Sequence, residues 1–140
     1  MIVLDTNVVS ELMKPAPDAA VAAWLVARPD ISLVTTAITV SEIMFGLHRL
    51  PEGRRKASLV DRFETLVDEG LLVLPLDDAS AREAGRHRAM RQAQGLPSQA
   101  LDMLIAGITL VAGAALATRN DKDFSDLPLN ILNPWRSPGA

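Results

Sequence analysis

Short apolar runs alternate along this chain with longer stretches in which apolar residues recur every three or four positions. The runs Ile2–Leu4, Ile31–Val34, Leu71–Leu76, Ala114–Thr118 and Leu129–Leu132 predict strands. Helical spacing predicts helices over Val8–Met13, Ala19–Ala27, Thr39–Leu50, Arg54–Glu69, Asp77–Gln94 and Gln99–Val111, the fifth of them amphipathic. The breaks between them are ordinary turn chemistry, "KPAPD" at Lys14–Asp18, Pro51–Gly53 and "QGLPS" at Gln94–Ser98. No repeat, low-complexity tract or linker interrupts the order, so residues 1–140 read as one domain. Strands alternating with helices predict an α/β chain, an α/β/α sandwich around a central parallel sheet of four or five strands. Right-handed crossovers then bring the strand C-terminal ends to one edge, where open α/β sheets bind ligands.

Composition narrows the chemistry. Apolar residues make up 49% of the chain, enough for a folded core. No apolar run reaches the ~20 residues of a membrane span, and the N-terminus lacks the basic flank of a signal peptide, so a cytoplasmic protein is expected. Cysteine is absent, which removes disulfides, thiolate zinc sites and thiol nucleophiles. A net charge of −3 argues against a protein that coats nucleic acid through bulk charge, but leaves room for a basic groove around an acidic centre.

Four acidic positions fall where the predicted topology puts the ligand edge. Asp5 ends the first strand, and also reads as the cap of the helix behind it. Glu42 stands three residues after Thr39, which is the spacing of a capping box. Asp102 is the only charged residue between Ser98 and Thr118. With Ser98 as cap it lies in the first helical turn, where the dipole favours negative charge. Its neighbours Leu101, Met103, Leu104 and Ile105 predict a buried turn, and an unpaired buried carboxylate is expensive unless it is bonded or holds a cation. The fourth group, Asn120, Asp121 and Asp123, follows the strand ending at Thr118. Carboxylates this close raise one another's pKa unless a cation neutralises them. Oxygen donors without cysteine or clustered histidine point to Mg²⁺ or Mn²⁺, which suits hydrolysis of a phosphodiester.

The blocks "MIVLDTNVVSEL", "AITVSEIMFGLHRL", "ALDMLIAGITL", "ALATRNDKDF" and "LNILNPW" together resemble PIN-domain ribonucleases, in particular the VapC-type toxins of toxin–antitoxin pairs and their FitB-like branch. The resemblance runs almost end to end. It implies a Mg²⁺- or Mn²⁺-dependent endoribonuclease with Asp5, Glu42 and Asp102 as acidic residues. Asp5 and Asp102 would be the metal ligands, with Asn7, Thr118 and Asn120 supporting them. Asp121 and Asp123 both match the fourth acidic position, and the motif does not choose between them. An RNA substrate, a small antitoxin that covers a groove beside the site, and a toxin homodimer are implied as partners.

Arg82, Arg86, His87, Arg88 and Arg91 load one helix with positive charge, and Arg119 and Lys122 adjoin the fourth acidic position. Arg119, Lys122 and Arg86 are the RNA-binding candidates, although a solvated face also accounts for the helix. With no tyrosine and five other aromatic residues, no base-stacking platform is expected. Trp24 and Phe45 are candidates to line the partner groove, and core packing is the commoner role of both. Three readings compete. A PIN-like module could bind RNA or protein without cutting, and should then keep RNA affinity without Mg²⁺. An aspartate-based phosphatase would want a second aspartate at position 7, where this chain has Asn7. A receiver domain would want adjacent acids after the first strand and a lysine after a late one.

Overall fold

The computed structural model describes residues 1–136. Five short parallel strands form one sheet: β1 (Ile2–Leu4), β2 (Leu33–Thr36), β3 (Leu72–Leu74), β4 (Ala115–Ala117) and β5 (Ile131–Leu132), in the order β3-β2-β1-β4-β5. Six helices cover it: α1 (Thr6–Leu12), α2 (Ala19–Val26), α3 (Ala37–Arg49), α4 (Arg54–Asp68), α5 (Asp78–Ala93) and α6 (Ala100–Ala112). The α/β/α expectation holds, with five strands. No helix among the described residues is long and apolar enough to cross a membrane.

Alternation along β1 divides the core in two. Ile2 and Leu4 pack with Val8, Val9, Trp24, Ile43 and Phe63 on one face, and Val3 packs with Val34, Met103, Ile105 and Leu116 on the other. The chain builds outward from β1 to β2 and β3, then returns to place β4 on the opposite side of β1. The β1/β4 boundary is therefore the point where strand order reverses, the place such sheets reserve for ligands.

Element ends shift from their predicted positions for local reasons. Helix α1 begins at Thr6, two residues early, because Asp5 already stands at its cap and accepts from Thr6 N at 2.8 Å. Strand β2 runs on through Thr35 and Thr36, both fully buried β-branched residues. The α3 cap is Thr36, whose hydroxyl accepts from Thr39 N at 3.1 Å, so the Thr39–Glu42 capping box is not formed. Helix α6 is preceded by Gln99, which makes no side-chain cap bond, and Ser98 does not cap it. It ends at Gly113 in a left-handed conformation (φ 64°), a common stop for a helix.

The amphipathic reading of α5 fails. Its buried residues are Ser80, Ala84, His87 and Arg91, small or polar rather than large and apolar. They let α6 approach closely. A Cβ on Gly107 would lie 2.3 Å from the Ser80 carbonyl oxygen and 2.9 Å from Ala84 N. Gly107→Ala should therefore lower stability by roughly 1–3 kcal/mol, because backbone rather than a flexible side chain blocks the methyl. A fall in the urea midpoint at unchanged slope checks this.

Candidate active site at the strand-order reversal

The site grows from the end of β1. Asp5 is 4% exposed, and its carboxylate is ringed by donors. Thr118 Oγ1, just past β4, donates to Oδ2 at 2.7 Å, Asn7 Nδ2 donates to the same oxygen at 3.3 Å, and Thr6 N donates to Oδ1. Asn7 is itself held, because Arg119 N donates to its Oδ1 at 3.1 Å. Burial raises the Asp5 pKa above the ordinary aspartate value, the bonds from Thr118 and Thr6 oppose that rise, and the charges of Glu42 and Asp123 add to it.

Glu42 reaches the site from α3 through threonines that the sequence pattern did not single out. Thr6 Oγ1 donates to Glu42 Oε1 at 2.7 Å and lies 3.1 Å from Thr39 Oγ1, which is 3.4 Å from Thr36 Oγ1. A hydroxyl has one proton to give, so Thr39 donates to Thr6 and Thr36 to Thr39. The three hydroxyls all point their protons toward Glu42. The signal was present in "DTN" and "TTAIT", but only the β1–β2 pairing shows that these segments meet.

Asp102 enters from the first turn of α6 and faces the same cavity, a space of about 420 Å³ also bounded by Asp5, Thr6, Asn7 and Glu42. Its turn is less enclosed than predicted, since Leu101 is 48% exposed. Its pKa is nonetheless pushed up to about 6, first by desolvation and then by the charges of Asp5, Asp123 and Glu42. Four carboxylates thus share one electrostatic neighbourhood.

The two candidates for the fourth position separate. Asp121 accepts from Asn133 Nδ2 and from Arg136 Nη1, both at 2.7 Å, and is neutralised by that arginine. Asp123 is the one whose charge is felt at Asp5 and Asp102. Asn120 lines the cavity, and its N–H donates to Thr118 Oγ1 at 3.0 Å. Lys14 and Glu11 also line it and were missed; Glu11 is buried and paired with Lys14 at 3.0 Å.

The basic helix face is only partly as expected. His87 and Arg91 are buried, and Arg86 and Arg82 pair with Glu83 and Asp78 on their own helix. Arg91 donates to the carbonyls of Pro97, Lys122 and Ser125, so it braces the segments before α6 and on either side of Asp123. Lys122 is exposed, and Arg119 lies at the cavity. Trp135, for which no role was expected, lines the cavity with its ring under the Arg119 guanidinium at 5.0 Å. An apolar groove of about 700 Å³ between α1, α3 and α4 joins the cavity through Thr6, Ser10, Lys14 and Glu42. Trp24 is instead buried in the core. Phe45 is 65% exposed, with Arg49 over its ring, and does not line the groove.

The donors around the cavity are carboxylate, amide and hydroxyl oxygens, which suit a hard divalent cation. Among the described residues no three acidic or histidine side chains form a ready-made ion cage. What fits is an ion that takes one or two carboxylates and keeps its own water, the usual habit of Mg²⁺.

Without a cation Asp102 holds its proton to higher pH when folded than when unfolded. Its contribution then favours the folded chain below about pH 4 and is lost as pH rises through about 6. Asp102→Asn should raise metal-free stability near neutral pH by roughly 1 kcal/mol, after screening by water at the cavity mouth, and flatten the pH dependence in that window. Thermal melts in EDTA across the range check this.

Comparison with known proteins agrees with this fold. The PIN domain family model matches residues 2–129. VapC ribonuclease Y4jK of Sinorhizobium fredii is 40% identical over 137 residues, covering 96% of this chain and 98% of that protein. Toxin FitB of Neisseria gonorrhoeae is 32% identical over 137 residues, covering 96% and 99%. The crystal structure of FitAcB from Neisseria gonorrhoeae matches with a TM-score of 0.84 at 32% identity, covering 98% of this chain and 100% of that one.

Proposed function

The chain belongs to the PIN domain family, and from that premise we propose that it is a Mg²⁺- or Mn²⁺-dependent endoribonuclease acting as the toxin of a toxin–antitoxin pair. The observation that carries the reading is the meeting of Asp5, Glu42 and Asp102 around one cavity at the β1/β4 boundary, where Glu42 adds to the charge burden of both aspartates and Asp5 to that of Asp102. A fold with no use for a cation gains nothing from that repulsion.

In this reading Asp5 and Asp102 would hold the ion, with Glu42 and Asp123 adding negative field beside it. A divalent ion bound there would supply activation of water and stabilisation of charge on an RNA phosphate. The protein's own residues do the rest. Thr118, Asn7 and the Thr6 N–H fix the Asp5 oxygens, so the carboxylate is preorganised. The threonine hydroxyls aim Glu42, because Thr6 donates to it directly and is itself positioned by Thr39. Arg119 at the cavity and exposed Lys122 supply positive charge for the phosphates, while Arg86 keeps a smaller share because Glu83 offsets it.

The partner is an antitoxin segment lying in the apolar groove between α1, α3 and α4. That groove opens into the acidic cavity, so a chain seated in it blocks substrate entry. Relatives named as a VapC ribonuclease and as a toxin support this reading.

Asp5→Asn and Asp102→Asn should each cut RNA cleavage by at least roughly a hundredfold, the scale of losing one principal electrostatic stabiliser. Both should keep a cooperative melt, that of Asp102→Asn at or above the wild-type temperature. Calorimetric titration with Mn²⁺ beside a gel assay checks the pair. Retained cleavage by Asp102→Asn, or equal Mn²⁺ binding by wild type and variant, would return Asp102 to a dipole-compensating role and leave a binding-only module.

A further inference from the structure

Trp135 and Arg119 form a clamped pair on the rim of the acidic cavity. They come from the segments after β5 and β4, and Asn133 ties them together. Its Oδ1 accepts from Trp135 N at 3.0 Å, and its Nδ2 donates to the Arg119 carbonyl at 3.3 Å and to Asp121 at 2.7 Å. Arg119 is fixed a second time by its N–H to Asn7, a residue that also holds Asp5. The indole is half-buried against the core that contains Leu4 and Ala117, so its place is set by packing as well as by bonds. The guanidinium sits over the ring, and Arg119 is exposed on its outer side.

Surface arginines carry ample rotamer freedom; here two bonds fix the Arg119 backbone and the indole restrains its side chain, at the mouth of a site that repels anions. A guanidinium backed by an indole is a flat cationic surface, suited to the face of an unpaired base and to the phosphate beside it. A paired base cannot offer that face.

Resting on the nuclease reading above, we propose that Arg119, backed by Trp135, is a stacking site for one unpaired base of single-stranded RNA next to the phosphate held at the acidic cavity. The site selects unstacked RNA over duplex and tolerates any base, because every base has a π-face. Asn133 is its positioning residue.

The test is binding of a fluorescein-labelled, mixed-sequence single-stranded RNA dodecamer in Ca²⁺, compared with copies carrying one abasic ribonucleotide at each position in turn. In wild type, one abasic position should weaken binding roughly tenfold, and the matching duplex should bind more weakly still. Arg119→Gln, an exposed change, and Trp135→Leu should weaken the intact RNA similarly and lose the abasic effect, since the surface that the base used is gone. Trp135→Phe keeps a ring and should retain most of it. Melts of each variant show that the fold is kept, and Arg119→Gln carries the test if Trp135→Leu unfolds. An abasic penalty as large in Arg119→Gln as in wild type would overturn the stacking site, as would equal affinity for duplex. Failure of wild type to bind any RNA would overturn it together with the nuclease reading, whereas binding without an abasic effect would overturn the stacking site alone.

Discussion

A carboxylate buried at the end of the central strand costs several kcal/mol unless donors surround it, and the site is arranged around that demand. Asp5 meets it with three bonds from three sources: the first N–H of α1, the amide of Asn7 and the hydroxyl of Thr118. The last is the informative one, because it crosses the boundary where strand order reverses. Satisfying Asp5 therefore fixes β4 beside β1, and with it the turn that carries Arg119 and Asn120. Yet the donors only offset part of the burial, and the pKa of Asp5 still stands above its ordinary value. The residual strain is what a cation would relieve.

The same logic explains why threonine gathers here. Thr36 donates to Thr39, Thr39 to Thr6 and Thr6 to Glu42, so a carboxylate on α3 is held by an α1 hydroxyl that the β2–α3 junction orients. Threonine serves both as a strand residue and as a donor, which lets the sheet edge become polar without a loop. Arg91 does comparable work on the far side, where one buried guanidinium collects carbonyls from the turn before α6 and from the segment around Asp123.

Much of this was legible in the sequence. The strand–helix alternation gave a parallel sheet, and the placement of Asp5, Glu42 and Asp102 after strands or early in helices put them on one edge. What failed did so where local signals mislead. The Thr39–Glu42 spacing fits a capping box, but Thr36 lies at the true junction and takes the cap. The run of arginines on α5 looks like a charged surface, but a small-residue face brings α6 close and buries Arg91 and His87. Asp121 and Asp123 were equivalent as letters, and only Asn133 and Arg136, a dozen or so residues on, draw Asp121 aside. Trp135 was invisible as a site residue, because nothing in "NPW" states which strand end it returns to.

The late arrival of β4 has a consequence for when the acidic cavity is completed as the chain is made. A chain still emerging from the ribosome carries Asp5 and Glu42 long before Ala115–Thr118 is synthesised. Until then β1 lacks one of its two neighbours, and Asp5 lacks the Thr118 hydroxyl. The loop that must close between Asp5 and Thr118 is more than a hundred residues, so the contact waits until most of the chain has been made. The acidic cavity is thus left incomplete through most of translation, and its full set of donors is assembled only near the end of synthesis.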